Sequence, residues 1–500
     1  MVTLSSPDFQ ALVERLIDQH HVPGLSIALV QGDQVTSAAY GHASLDPPTP
    51  CTPDTLFDIA SASKSMTAAS VALLVEDDER YPAVKYDAVV SRLLPDDFVL
   101  PGQEYTDGVT VEDILSHRTG MAGHDLSYLG PQAARPDDAR SVTRNLRHLP
   151  MAAPIRAKYM YCNMMYTVAT HLVEQQSGLP FADYLDDRFF RPLGMSASNL
   201  QPQRARARGL GSRIATGHAW DEDAQRYRSF QTPDCPEAQG AGSIITSVND
   251  YIRWVKAMMH HGSPVSAAVF KGLVAPRIIA NPGAEDLDPY TSPTLYAAGW
   301  EIYYYRGHQV IGHDGAIPGF GSCHFFLPDW KFGGVIVGNA ENGNLVASIL
   351  ARRMIDEVLQ VPSTDRPDWE EILSTSWASS SEPSEAELRE KLCPQLPDPA
   401  PPQLPLAAYT GVYEHPGYHR LTVEIRDGAL FVDATDRSFG FTLTLDYVGD
   451  QTKYIAHLRD YLDGCHILLM AEFELANGRA VRLGVNFEEE LETWIWFERA

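Results

Sequence analysis

Apolar positions recur at helical spacing from Pro7 to His20, where Phe9, Leu12, Val13, Leu16 and Ile17 are separated by acidic and polar residues. That pattern predicts an amphipathic helix. The run from Leu25 to Val30 reads as a strand, Gly32-Asp33 as a turn, and Val35 to Tyr40 as the partner strand. Short apolar runs return at 322–328 and 333–338, followed by a helical pattern through Leu345, Ile349, Met354, Ile355, Val358 and Leu359. A helix and strands at one end, then strands and a helix at the other, predict one antiparallel sheet built from both ends and flanked by helices. The fold class is therefore α/β (α+β). Residues 60–290 carry mainly helical pattern broken by Gly/Pro turns and read as a helical insert.

The character changes after residue 360. Residues 374–384 are serine-rich, and 394–405 place a proline at nearly every second position, which favours an extended linker. From Leu406 to Ala500 short alternating runs (LTVEI, ALFVD, FTLTLDY, TWIWFE) are separated by RDG, DRS and ANG turns. Such a series predicts a small β-barrel or sandwich. The expected division is 1–361, 362–405 as Ser/Pro-rich linker, and 406–500 as the β domain.

Charge narrows the function. Lysine and arginine total 39 against 65 aspartates and glutamates, a net charge of −26 that repels phosphate backbones and anionic lipid. Nucleic acid is excluded as a partner on that ground. The six cysteines, at 51, 162, 235, 323, 393 and 465, lie far apart and form neither a C-x-x-C zinc motif nor a disulfide framework. The first residues have no basic start followed by an apolar core, and no apolar run is long enough to span a bilayer. A cytoplasmic protein without a membrane segment is the expectation, with the oligomeric state left open.

Three short motifs carry candidate chemistry. The first runs from Phe57 to Ala68 and contains Ser61-Ala62-Ser63-Lys64. A helix starting near Ser61 puts the serine and the lysine one turn apart, with the hydroxyl at the positive helix end. A lysine amine whose charge is suppressed by its surroundings can take the serine proton. Taken alone the pair reads more readily as a helix cap beside a surface lysine. The second is Tyr161-Cys162-Asn163, ahead of a helical stripe, where a phenol can relay a proton and an amide can orient a lysine or a substrate. The third is Gly312-His313-Asp314-Gly315-Ala316, on the edge of a strand. There a histidine could support proton transfer, glycines permit close approach, and a backbone N–H could complete an oxyanion hole.

The order SASK, YCN, GHDG resembles the serine β-lactamase and penicillin-binding-protein family, in its class C and family VIII esterase-like branch. Ile114-Leu115-Ser116-His117-Arg118-Thr119-Gly120, Pro192-Leu193-Gly194-Met195, Gly240-Ala241-Gly242-Ser243 and Ala298-Gly299-Trp300 add to the likeness, which covers about residues 8–360. The resemblance implies a β-lactamase/transpeptidase-like fold with an all-helical insert. It casts Ser61 as nucleophile, Lys64 as general base, and Tyr161 and His313 as further catalytic residues. It also implies an oxyanion hole from the N–H groups of Ser61 and Ala316, with Asn163 and Gly315 on the substrate side. The segment from Ala408-Tyr409-Thr410-Gly411-Val412-Tyr413 resembles the lipocalin-like barrel attached to several members, acting as a wall over the entrance, a dimer contact or a passive module. This chain has His313 where dedicated β-lactamases have the lysine of Lys-Thr-Gly, so a penicillin carboxylate would lose its cation.

The functional expectation is a serine hydrolase forming an acyl-enzyme on a small ester or peptide amide, with no cofactor and no metal. Acyl transfer or peptide cyclisation at the same site is the nearest alternative, followed by β-lactam hydrolysis and then a non-catalytic scaffold. Other features have ordinary readings. His20-His21 and His260-His261 suit helix ends, Tyr303-Tyr304-Tyr305 suits strand alternation, Cys162 suits a small buried thiol, and His415-Pro416-Gly417 lies in the β domain away from the site.

Overall fold

The first helix, α1 (Pro7–Gln19), begins as its sequence dictates: the Ser6 hydroxyl accepts the Phe9 N–H at 3.3 Å, and Pro7 occupies the first turn. Its stripe of Phe9, Val13, Leu16 and Ile17 is buried. Strands β1 (Gly24–Gln31), β2 (Gln34–Leu45) and β3 (Pro48–Pro50) follow as a meander. This computed structural model describes residues 3–285, 287–379, 383–394 and 403–500.

The insert then carries α2 (Lys64–Glu76), α3 (Met164–Ser177) and α4 (Val248–His260) among shorter helices. It is not all helical. Gly217–Asp221 pairs with Arg226–Phe230, and Ile244–Thr246 pairs with both Phe57–Asp58 and Asn199–Leu200. The two- and three-residue runs are below the length at which alternation registers in a sequence.

The chain returns to the first sheet through β4 (Ile278–Ile279), β5 (Leu295–Tyr296), β6 (Glu301–Tyr305), β7 (His308–Ile317), β8 (Phe320–Leu327) and β9 (Phe332–Gly338). Among the described residues this sheet has nine strands in the order β3-β2-β1-β9-β8-β7-β6-β5-β4. Antiparallel pairing of β1 with β9, Leu25 opposite Gly338, joins the two ends of the chain. Alternation then sorts the faces. Leu25, Ile27 and Leu29 pack with α1 and α5 (Gly343–Val358), whereas Ala28 and Val30 face the core shared with the insert.

Inside the insert, a buried ion cluster fixes the loop that passes behind the site. The helix Val111–Leu115 is capped by Asp113, whose carboxylate accepts the Thr110 N–H at 2.9 Å. The same wholly buried carboxylate accepts from Arg118 at 2.6 Å and from Arg156 at 2.6 and 2.9 Å. Glu112 adds pairs to Arg118 and Arg277. These bonds fix residues 116–121, which carry His117.

Where the composition suggested an extended linker over 362–405, two helices form: α6 (Trp369–Ser379) and α7 (Glu385–Leu392). The serines do not prevent α6 because Trp369, Ile372 and Leu373 supply an apolar stripe that packs beneath α5. Trp369 Nε1 and the Tyr305 hydroxyl donate to the two oxygens of buried Asp356 at 2.7 and 2.6 Å. Much of the proline-dense stretch, 395–402, lies outside the described residues. Beyond it, eight antiparallel strands from β10 (Gly411–His415) to β17 (Ile495–Arg499) close into a barrel, Tyr413 pairing with Arg499. Tyr409, Tyr413, Tyr454 and Phe473 pack against one another within it. The barrel grips the insert by backbone: Gly130 N–H donates to Asp436 O at 2.9 Å and Ser438 N–H to Tyr128 O at 3.2 Å. Among the described residues no helix is long and apolar enough to cross a membrane.

Asp113→Ala removes the buried carboxylate shared by Arg118 and Arg156 and leaves Arg118 with Glu112 alone as its acidic partner. The expected cost is about 3–5 kcal/mol, read as a lowered midpoint of the first urea transition followed by circular dichroism. Glu112→Gln, at a more exposed position, should cost under about 1 kcal/mol.

Candidate active site

Ser61 sits on one turn of 3-10 helix, Ala60–Ser63, that feeds directly into α2. The α-helix therefore starts at Lys64 rather than at the serine, and the tighter turn brings Ser61 Oγ within 2.9 Å of Lys64 Nζ. Ala60, just before the serine, is buried in the left-handed region at φ +47°, with its N–H held by Asp58 Oδ1 at 2.8 Å. A non-glycine residue in that conformation stores strain at the site.

The lysine side chain has no solvent exposure. Its amine lies 2.9 Å from Ser61 Oγ, 2.7 Å from Asn163 Oδ1 and 2.9 Å from the Ala241 carbonyl oxygen. Burial pushes its pKa down to about 7, partly opposed by Asp125 and Cys162. A neutral amine has two N–H donors and one lone pair. Asn163 Oδ1 and Ala241 O can only accept, so they take both donors and the lone pair is left facing the serine hydroxyl. The amide of Asn163 is oriented in turn, because its Nδ2 donates to Asp125 Oδ2 at 3.0 Å. Desolvation pushes the Asp125 carboxyl up to about 6.

The Tyr161 hydroxyl donates to Ser61 Oγ at 2.9 Å, and burial holds this phenol protonated, well above its ordinary value. Lys64 Nζ lies 4.8 Å from the centre of the Tyr161 ring and 5.4 Å from that of Tyr166. His117 packs against the Tyr161 ring at 4.2 Å, and its Nδ1 accepts the Cys162 N–H at 3.1 Å. Burial and the neighbouring Lys64 hold His117 well below its ordinary value, hence neutral.

The third motif lies on β7, an interior strand of the sheet rather than an edge strand. Its pairing to β6 ends at Gly312, so residues 313–317 are bare on that side and face the Ser61 turn. Gly315 makes that approach possible. A Cβ there would stand 2.3 Å from Ile59 O, 2.6 Å from Ser322 Oγ and 3.0 Å from Ser61 N. The Ser322 hydroxyl clamps the same turn by donating to Ile59 O at 2.8 Å.

Ser61, Asn163 and Ala316 line one cavity together with Tyr128 and Phe230. The barrel supplies Ser438, Phe439, Asp460 and Leu462 to its wall, and no lysine or arginine is among the described lining residues. The structure thus brings together Ser61, Lys64, Tyr161, Asn163, Gly315 and Ala316. His313 stands one ring away: its Nδ1 lies 2.6 Å from Asp314 O and its Nε2 accepts from Tyr296 at 2.9 Å. Burial holds its pKa down to about 3, so the ring is neutral.

Residue-by-residue reading of the sequence missed Asp125, whose short side chain in a polar loop carries no signal. It also passed over His117 and Ala241, which stand inside quoted motifs but were given no task. The two histidine pairs occupy the C-terminal ends of α1 and α4. Tyr303 and Tyr305 reach Arg352 and Asp356 of α5, away from the cavity. His415 accepts the N–H groups of Gly417 and Tyr418 within the barrel. Cys162 is buried and unpaired. Among the described residues no cluster of three or more His, Cys, Asp or Glu could hold a metal ion.

Comparison with known proteins decides the family. The Beta-lactamase family model matches residues 9–359. The chain belongs to the beta-lactamase family. A second model, a domain of unknown function (DUF3471), matches residues 396–499, which include the barrel. Over 98% of this chain and 91% of the relative, the sequence is 34% identical to an unguisins hydrolase of Aspergillus campestris. It is 25% identical to a D-aminopeptidase of Brucella ovis over 72% of this chain and 64% of that one. The fold matches an octameric penicillin-binding protein homologue from Pyrococcus abyssi with a TM-score of 0.59 and 17% identity, covering 98% and 99% of the two chains. This beta-lactamase-family chain is a serine hydrolase.

Gly315→Ala tests the close approach of β7 to the Ser61 turn. The added methyl must displace that turn, and a displacement near 1 Å costs about 10²-fold in rate. Acylation by p-nitrophenyl acetate should fall by that order, while stability drops by only about 1–3 kcal/mol.

Proposed function

We propose that this protein hydrolyses an amide bond in a small peptide through an acyl-enzyme on Ser61. The observation that carries the reading is that Ser61 Oγ, in the cavity wall, is hydrogen-bonded to both Lys64 Nζ and the Tyr161 hydroxyl. Lys64, neutral and with its lone pair on the serine, takes the hydroxyl proton as Oγ bonds to the substrate carbonyl carbon. The N–H groups of Ser61 and Ala316 receive the oxyanion. Tyr161 gives its proton to the leaving nitrogen as the C–N bond breaks, and Lys64 restores the proton to Tyr161. Water then repeats the steps in the opposite sense and releases the acid.

A peptide is favoured over a β-lactam by the charges around the site. A penicillin carboxylate would find no lysine or arginine among the described lining residues, only the carboxyls of Asp58 and Asp460, and His313 stands neutral behind the cavity. The name of one relative, an unguisins hydrolase, supports hydrolysis, and that of another, a D-aminopeptidase, supports a peptide substrate. In this reading His313 positions Tyr296 and the rings behind Tyr161, and Gly315 serves the nucleophile's turn rather than the substrate.

Intact-protein mass after brief exposure to p-nitrophenyl acetate tests the nucleophile and the base. Wild type should gain one acetyl group that decays in water, and Ser61→Ala should gain none. Lys64→Ala should acylate about 10²–10⁴-fold more slowly; near-normal acylation of that variant at neutral pH overturns the base assignment.

Acylation needs the neutral amine, so its rate should rise with pH along a limb centred near the Lys64 value of about 7. The Asp125 carboxylate raises that value, while neighbouring His117 and His313 are neutral. Asp125→Asn removes the raising charge, so the limb should move to lower pH; an unmoved limb would contradict the electrostatic link.

A further inference from the structure

Apart from the cavity wall, the barrel makes a second contact with the insert. The hydroxyl of buried Tyr418 lies 2.7 Å from His124 Nδ1 and 2.8 Å from Glu488 Oε1. His124 Nε2 lies 2.9 Å from the Pro150 carbonyl oxygen. His124 is itself wholly buried and left-handed at φ +53°, and it immediately precedes Asp125. Gly123 packs between the two acids. A Cβ there would stand 3.7 Å from Glu488 Oε2 and 3.9 Å from Asp125 Oδ2.

The Tyr418 hydroxyl donates to Glu488 Oε1, and the His124 ring spans from that hydroxyl at Nδ1 to the Pro150 carbonyl oxygen at Nε2. Burial, with Asp125 and Glu490 adding to it, pushes Glu488 up to about 7, and burial with nearby His415 pushes His124 down to about 4. Cys162 is the other titratable group facing this cluster.

We infer that the barrel positions the catalytic lysine: Glu488, through Tyr418 and His124, holds the left-handed turn that delivers the Asp125 carboxyl to Asn163, and Asn163 to Lys64. The inference rests on the reading of Ser61 and Lys64 as nucleophile and base. The path runs from Glu488 to Tyr418 to His124, along one peptide bond to Asp125, then to Asn163 and Lys64. Glu488, Tyr418 and His124 are positioning residues and touch no substrate. On this account the barrel is part of the catalytic unit as well as a wall of its cavity.

Tyr418→Phe in the full-length chain keeps the ring and its stacking on Phe487 but removes both hydrogen bonds. Expected with p-nitrophenyl acetate is a kcat at least tenfold lower with KM within twofold of wild type. Amide hydrogen exchange should accelerate across 123–129 and not along the barrel strands. Glu488→Ala should behave alike, whereas Glu488→Gln should keep at least a third of kcat because its amide oxygen still accepts from Tyr418. An unchanged kcat in Tyr418→Phe overturns the inference, as does a loss accompanied by deprotection throughout the barrel. If Tyr418→Phe fails to fold, equal kcat values for Glu488→Ala and Glu488→Gln overturn it. Absence of any wild-type adduct on Ser61 would sink the hydrolase reading instead, and exchange at 123–129 would still decide whether Tyr418 holds the turn.

Discussion

Lys64 is taken out of water without being handed a carboxylate, and the rest of the site depends on that arrangement. A buried ammonium is costly unless it is paired, so the amine releases its proton more readily than lysine does in solvent. A direct ion pair would have reversed the effect. The fold instead surrounds Nζ with an amide oxygen, a backbone carbonyl and two tyrosine rings. The Asp125 carboxyl is held one residue back behind Asn163. It orients the amide and tempers the loss of charge without abolishing it.

Several distant segments are spent on this one amine. Strand β7 is stripped of its partner after Gly312 so that it can lie on the Ser61 turn, and Gly315 removes the side chain that would keep them apart. Gly299, left-handed at φ +71°, lets its loop pass the backbone of Lys64, where a Cβ would stand 2.6 Å from the lysine carbonyl oxygen. The ion cluster on Asp113 fixes the loop that sets His117 beneath Tyr161. Each of these is a close approach of backbone or a buried ring, and each excludes water from the lysine.

The barrel extends the same logic. Its backbone pairs with residues 128–130, its loops wall the cavity, and its Tyr418 reaches the turn ahead of Asp125. The family region and the C-terminal region therefore meet at two places, the cavity wall and the turn ahead of Asp125.

The flanking helices, the strands at both ends and the β-rich C-terminus were legible in the sequence, because helical and strand periodicities are local. So was the three-residue spacing of Ser61 and Lys64, since one turn sets it. The helices at 369–379 and 385–392 were hidden by serine and proline content, although Trp369, Ile372 and Leu373 held the signal. Tertiary structure alone decided that Lys64 is dry, that Asn163 turns its oxygen to it, that Asp125 stands behind, and that His313 stops at Tyr296. Those outcomes depend on desolvation and on contacts between residues 17 to 177 positions apart in the chain, which no local pattern encodes. The sequence determined which groups could do the chemistry, and packing decided which of them are neutral, aligned and within reach.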